Sequence, residues 1–351
     1  MIFTFPNFGS LSILLSVLMH EWGVPFVMPP KTTKNTVLLG SRYAPADACL
    51  PLKIILGNFL EAAEKGANTA VFLGGSGPCL FGCFSQMIEL SFIENSIPIN
   101  MLRIEPTKDG LKEMLSLIKR VSNKSLSQIA APIFDAAKSC HMLDKLENRL
   151  LLVRSTIENE ADRKNFNTFE ECVYDLLSSA KSFNELLTII DISYEKADRY
   201  MGGRQNVLAV GIVGDIYTTI DSDANFNLQK QLADMGAYSE RSLTITKWFK
   251  DKLILSPFGW RWYSKPHIPK GIGGFARQTV GYAAMWSDTV DGIIQVHPLN
   301  CMPEVAAATI LSNMSSEQNF PFLSLVLDEL SGESGYVTRI EAFYDLLEAK
   351  S

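Results

Sequence analysis

Several signatures that would assign the chain at once are missing. The six cysteines, at 49, 79, 83, 140, 172 and 301, include no C-x-x-C pair, the close spacing in which zinc sites usually bring their ligands. Histidines number only four, and His20, His141 and His267 show no ligand spacing. No G-x-x-x-x-G-K-[ST] loop occurs, no G-x-G-x-x-G follows a strand, and GGSGP at 74–78 lacks the spacing of a G-x-S-x-G nucleophile elbow. The start, TFPNFGS, lacks the aspartate of an actin-type phosphate signature. Independent ATP hydrolysis and serine-hydrolase chemistry are therefore disfavoured. Basic residues are short as well: 32 Lys and Arg stand against 38 Asp and Glu, a net charge of −6. Without a basic block such as a nucleic-acid surface needs, nucleic acid is not an expected partner. The apolar N-terminus MIFTFPNFGSLSILLSVLMHEWGVPF has no basic n-region, and Glu21 and Trp22 close its run, which predicts a strand and a helix rather than a signal or membrane span. The expected compartment is the cytoplasm, where cysteines serve as thiols or metal ligands rather than disulfides.

What is present is an α/β rhythm. At 351 residues the chain exceeds the usual single core and calls for two domains. Apolar runs at IFTF (2–5), VPFVM (24–28), NTAVFLGG (68–75) and IPINMLRI (97–104) predict strands separated by helical spacing. That alternation is the pattern of a parallel sheet. From about 107 to 200 glycines thin out and i, i+3, i+4 apolar spacing dominates, as in LKEMLSLIKRV, so a helical segment is expected. VLAVGIVG (207–214), DGIIQVHP (291–298) and FPFLSLVLD (320–328) then predict the strands of a second parallel sheet. The expected organisation is a first α/β domain over 1–105, a helical segment over 106–204 and a second α/β domain over 205–351.

Three cysteines share a setting. Cys49 follows the loop SRYAPADA and opens a predicted helix, LPLKIILGNFLEAAEKG. Cys79 follows the strand NTAVFLGG through GSGP and opens the next. Cys301, in VHPLNCMPE, follows a third strand and opens a third helix. A helix N-terminus favours the thiolate that iron or zinc requires, and the carboxyl ends of parallel strands are where ligands gather. Any one of the three, taken alone, reads more simply as a buried small residue; the common setting favours a three-cysteine ligand set. Cys83, four residues after Cys79, reads as a fourth ligand or a bystander, Cys140 and Cys172 as thiols of the helical segment, and His297 as a ligand or a structural residue. Asp215, Tyr217 and Arg277 either line a cleft or serve capping and pairing, and Ser76 and Ser85 serve a turn and a helix. PKGIGGFARQTVG (269–281) predicts a glycine-rich loop entering a helix.

The stretches FPNFGS, MPPKTTKNTVLLGSRYAPADACLPLKIILGNFLEA, GGSGPCLFG, VGDIYTTID, HPLNCMPE and LDELSGESGYVTRIEAF resemble the 2-hydroxyacyl-CoA dehydratase family. Within it the chain is most similar to the branch described as acyl-CoA dehydratase activase-related, or CoA enzyme activase. The resemblance runs through nearly the whole chain, weakest in the helical segment. It implies two Rossmann-like parallel-sheet domains with helices between them and a 4Fe-4S cluster in the interdomain cleft. The ligands carried over are Cys49, Cys79 and Cys301. It further implies radical dehydration or another low-potential reduction in anaerobic metabolism, with an acyl-CoA as substrate. Electrons would come from a separate ATP-dependent activase or other low-potential donor, and the assembly would be a homo- or heterodimer. Alternatives are a non-catalytic electron-transfer or scaffold subunit, or a zinc or metal-free ligand-binding module of the same fold. The chain departs from this branch at Cys83, Asp215 and Phe275, where an aromatic, a glutamate and a polar residue are expected.

Overall fold

Short apolar runs flanked by helical sequence become two parallel sheets. The computed structural model describes residues 1–73, 79–105, 107–253 and 259–350. The first sheet holds β1 (Phe3–Thr4), β2 (Thr69–Leu73) and β3 (Asn100–Ile104) in the order β1-β2-β3. The second holds β4 (Leu208–Gly214), β5 (Ala237–Arg241), β6 (Gly292–Pro298) and β7 (Phe322–Leu327) in the order β5-β4-β6-β7. All pairings are parallel, so the fold is α/β with two Rossmann-like domains.

Two local expectations change. VPFVM contributes only a bridge, Phe26 with Phe3, in which the Phe3 amide donates to Pro25 O at 2.9 Å and the Val27 amide to Phe3 O at 2.8 Å. Pro25 has no N–H, and Pro29 and Pro30 follow closely, so a longer ladder cannot form. β5 was not expected: its sequence, AYSER, carries no apolar run, because the strand lies at the sheet edge with alternate positions partly exposed. The predicted GSGP turn with Ser76, and the last two residues of NTAVFLGG, lie outside the described residues.

The chain divides into two compact units. Unit 1 comprises Met1–Leu143 and Asp175–Ile190; unit 2 comprises Asp144–Tyr174 and Asp191–Ser351. The helical stretch between the sheets is thus shared: its helices are Lys108–Ser122, Leu126–Thr156, Glu160–Ser179 and Phe183–Ala197, and the division falls inside the second, third and fourth. In unit 1, Phe3, Phe5, Met19, Trp22, Val24, Ile118 and Ile129 form one core cluster, and the Trp22 indole donates to Ile129 O at 3.0 Å. In unit 2, Val213, Val280, Ala283, Trp286, Ile293, Ala307 and Leu311 pack between β4, β6 and the helices Ala276–Trp286 and Met302–Gln318.

Helices Lys34–Tyr43 and Leu50–Glu64 of unit 1 cross at backbone contact. A Cβ on Gly40 would stand 1.7 Å from Lys53 O, and one on Gly57 2.0 Å from Thr36 O. Only glycine fits at this crossing, which fixes the loop that carries Cys49. Gly57→Ala is expected to force the helices apart and to cost about 1–3 kcal/mol, read as a fall in the urea midpoint. An unchanged midpoint would show that the crossing can relax.

Candidate functional site

Of the three cysteines with a shared sequence setting, two cap α-helices and the third caps a 3-10 turn. Cys49 is the N-cap of helix Leu50–Glu64, with extended backbone and Pro51 in the first turn. Its carbonyl accepts from the Leu52 amide at 3.1 Å. Lys53, a turn further on and buried, reaches back to Ala46 O at 3.2 Å. Cys79 is the N-cap of the 3-10 turn Leu80–Cys83, which leads directly into helix Phe84–Glu94. Cys301 is the N-cap of helix Met302–Gln318, with Pro303 in its first turn, and its amide donates to Pro298 O at 3.1 Å, tying it to the end of β6. All three are partly buried, and none uses its sulfur to cap its helix. The prolines are compatible with these positions because a first-turn N–H has no partner within the helix.

The other cysteines differ. Cys83 and Cys172 are exposed and Cys140 is buried. Cys49 and Cys79 fall in unit 1 and Cys301 in unit 2. Among the described residues no three His, Cys, Asp or Glu side chains gather into a metal-binding group. No described helix is long and apolar enough to cross a membrane.

A second constellation lies at the carboxyl ends of β4 and β6, where the order β5-β4-β6-β7 reverses direction. Such switch points are where open α/β sheets form their crevices. Gly214 ends β4 at φ +148°, and a Cβ there would meet Val296 O at 1.9 Å. Asp215 then caps the short helix Ile216–Ile220: its carboxylate accepts from the Tyr217 amide at 2.8 Å and the Thr218 amide at 3.3 Å, and it pairs with the Thr218 hydroxyl. Burial outweighs these bonds and pushes Asp215 up to about 6.

Glu304, in the first turn of the Cys301 helix, has no exposed surface. Burial pushes it up to about 8, with the neighbouring Asp215 charge adding to the effect, so the acid is largely neutral at pH 7. It meets Thr279 Oγ1 at 3.0 Å and accepts from Gln295 Nε2 at 3.0 Å. His297 is also buried, which lowers its pKa; its Nδ1 faces Pro298 O at 3.0 Å and its Nε2 faces Ser324 Oγ at 3.4 Å. This is the structural reading of His297.

Tyr217 is fully buried, and Arg277 donates to Ser264 Oγ at 3.1 Å. Asp215 thus takes the capping reading and Arg277 the pairing one, whereas Tyr217 is buried in the core rather than at the surface. Sequence reasoning missed Glu304, Gln295 and Thr279. The available signal was the acid in HPLNCMPE, but an acidic residue early in a helix is ordinary and did not stand out.

Residues 7–240 match the family described as CoA enzyme activase uncharacterised domain (DUF2229). The matched span holds Cys49, Cys79 and Asp215 and stops short of Cys301 and Glu304. No curated protein matches the chain.

Proposed function

The chain belongs to the family of the CoA enzyme activase uncharacterised domain, and from that premise we propose that it is an iron-sulfur protein whose ligands are Cys49, Cys79 and Cys301. One observation carries the reading: Cys49 and Cys301 each cap an α-helix and Cys79 caps the 3-10 turn that leads into one, and all three are partly exposed. Three thiolates of this kind fit the chemistry of a 4Fe-4S cluster with one iron left open. Such a group, when bound, supplies one-electron chemistry and a Lewis-acidic position for a substrate oxygen.

The chain's own contribution is electrostatic and positional. A helix N-terminus favours negative charge in general, and the prolines, with the Gly40–Gly57 crossing beside Cys49, restrict how the cysteine backbone can move. The reaction class that suits this is radical dehydration of a 2-hydroxyacyl-CoA, or another low-potential reduction, in the cytoplasm. An ATP-dependent activase or other low-potential donor would supply the electrons, because the chain carries no ATP loop of its own.

Anaerobic purification with iron and sulfide analysis tests the proposal. Cys49→Ser, Cys79→Ser and Cys301→Ser are each expected to lower iron content by at least about tenfold, while Cys140→Ser leaves it unchanged. Zinc in place of iron, or equal behaviour of all four variants, would overturn the ligand assignment. Iron without acyl-CoA binding would make the chain an electron-carrying or scaffold subunit.

A further inference from the structure

Glu304 departs from the usual behaviour of an acid in the first turn of a helix. Such a side chain commonly turns back to the N-cap amide; Glu304 turns into the protein. Its Oε1 and Oε2 lie 3.0 and 3.1 Å from Thr279 Oγ1, and Oε2 accepts from Gln295 Nε2 at 3.0 Å. The same amide nitrogen donates to the Glu304 backbone carbonyl at 2.9 Å. Thr279 Oγ1 also stands 3.2 Å from Gly214 O. Thr279, Gln295 and Glu304 are all buried, so these groups have no water to fall back on.

Proton counting selects one arrangement. A threonine hydroxyl has a single hydrogen. With Glu304 neutral, its O–H donates to Thr279 Oγ1, Thr279 donates to Gly214 O, and Gln295 donates to the other carboxyl oxygen and to the Glu304 carbonyl. Every donor is used. An ionised Glu304 would take the threonine hydrogen for itself and leave Gly214 O without it.

We infer that the neutral carboxyl of Glu304 is a positioning residue for Cys301. It joins the first turn of the Cys301 helix to β6 through Gln295, and to helix Ala276–Trp286 and the end of β4 through Thr279. The helix start, and with it the sulfur, is thereby held at the carboxyl end of β6. The inference rests on the reading of Cys301 as a ligand.

Glutamine is the isosteric mimic of a neutral carboxyl group: its amide can donate to Thr279 and its oxygen can accept from Gln295. The test alkylates the metal-free full chain with iodoacetamide and follows each cysteine by peptide mass spectrometry, with Cys49 and Cys79 as internal standards. Glu304→Gln is expected to keep the Cys301 rate within about twofold, whereas Glu304→Ala changes it about tenfold, comparable to the lower end of what losing a ligand's outer partner costs in metal affinity. Thr279→Val, which removes the same hydroxyl at little change of volume, is read the same way and covers the case in which Glu304→Ala does not fold. A folded Glu304→Ala or Thr279→Val protein with the wild-type Cys301 rate would overturn the inference, as would a Gln variant that behaves like Ala. Iron content separates the two proposals. Iron-free wild type with an intact Glu304 effect contradicts the ligand reading alone, and normal iron without that effect contradicts the positioning role alone.

Discussion

Glu304→Gln is expected to make the protein more stable than the wild type at pH 8 and equally stable near pH 4. In the folded chain Glu304 holds its proton until about pH 8, against an ordinary value of 4.5. The unfolded chain sheds that proton above about 4.5 while the folded chain keeps it, so wild-type stability falls as pH rises through this window and levels off above it. Glutamine has no proton to lose, and the bonds to Thr279 and Gln295 survive the exchange. The difference at pH 8 is on the order of 4 kcal/mol, from about 1.4 kcal/mol per pH unit across the window. Asp215, raised to about 6, adds a slope of the same sign at lower pH in both proteins. Urea unfolding at a series of pH values measures this. Parallel curves for the two proteins would show that Glu304 is ionised in the fold.

The second large effect concerns Arg154 in unit 2. Its side chain has no exposed surface and is held by Glu170 Oε2 at 2.8 Å, Asp234 Oδ1 at 2.6 Å and Asn167 Oδ1 at 2.5 Å, with the guanidinium 5.2 Å from the Phe166 ring centroid. One planar fork thereby joins helix Leu126–Thr156 to helix Glu160–Ser179 and to the end of helix Leu228–Met235. Removing one partner of a buried pair leaves the other charge without compensation, which costs about 3–5 kcal/mol. Lys230 still reaches Glu170 at 3.0 Å and Arg163 reaches Asp234 at 2.9 Å, so Arg154→Ala is expected near the lower end, about 3 kcal/mol. Arg154→Lys is not expected to restore the loss, because a single ammonium cannot span three acceptors. A cost below about 1 kcal/mol in urea unfolding would mean that Lys230 and Arg163 already neutralise both acids.

VLAVGIVG and DGIIQVHP were legible as strands because burial on both faces leaves an uninterrupted apolar run. AVFL and the edge strand FLSLVL also mark strands found in the fold. The same signal misled at VPFVM, where apolar residues pack in the unit 1 core while proline denies them a ladder. It was silent at AYSER, where an edge strand keeps polar residues. The ends of the helical segment could be read from its spacing, but the spacing does not say which sheet a helix packs on, and the division at Leu143 and Asp144 had no mark in the sequence. The common setting of Cys49, Cys79 and Cys301 was legible because a proline stands within three residues of each and a helical stretch opens after each. The Glu304 network was not, since its members are 25 and 9 residues apart and come together only when β6 and the helix Ala276–Trp286 pack.

The most direct measurement is the electron paramagnetic resonance spectrum of the full chain, purified and reconstituted with iron and sulfide without oxygen and then reduced, alongside Cys301→Ser. A reduced 4Fe-4S signal in the wild type that is lost in Cys301→Ser is the predicted result. A wild-type protein that stays metal-free after reconstitution, or a signal unchanged in Cys301→Ser, would contradict the account.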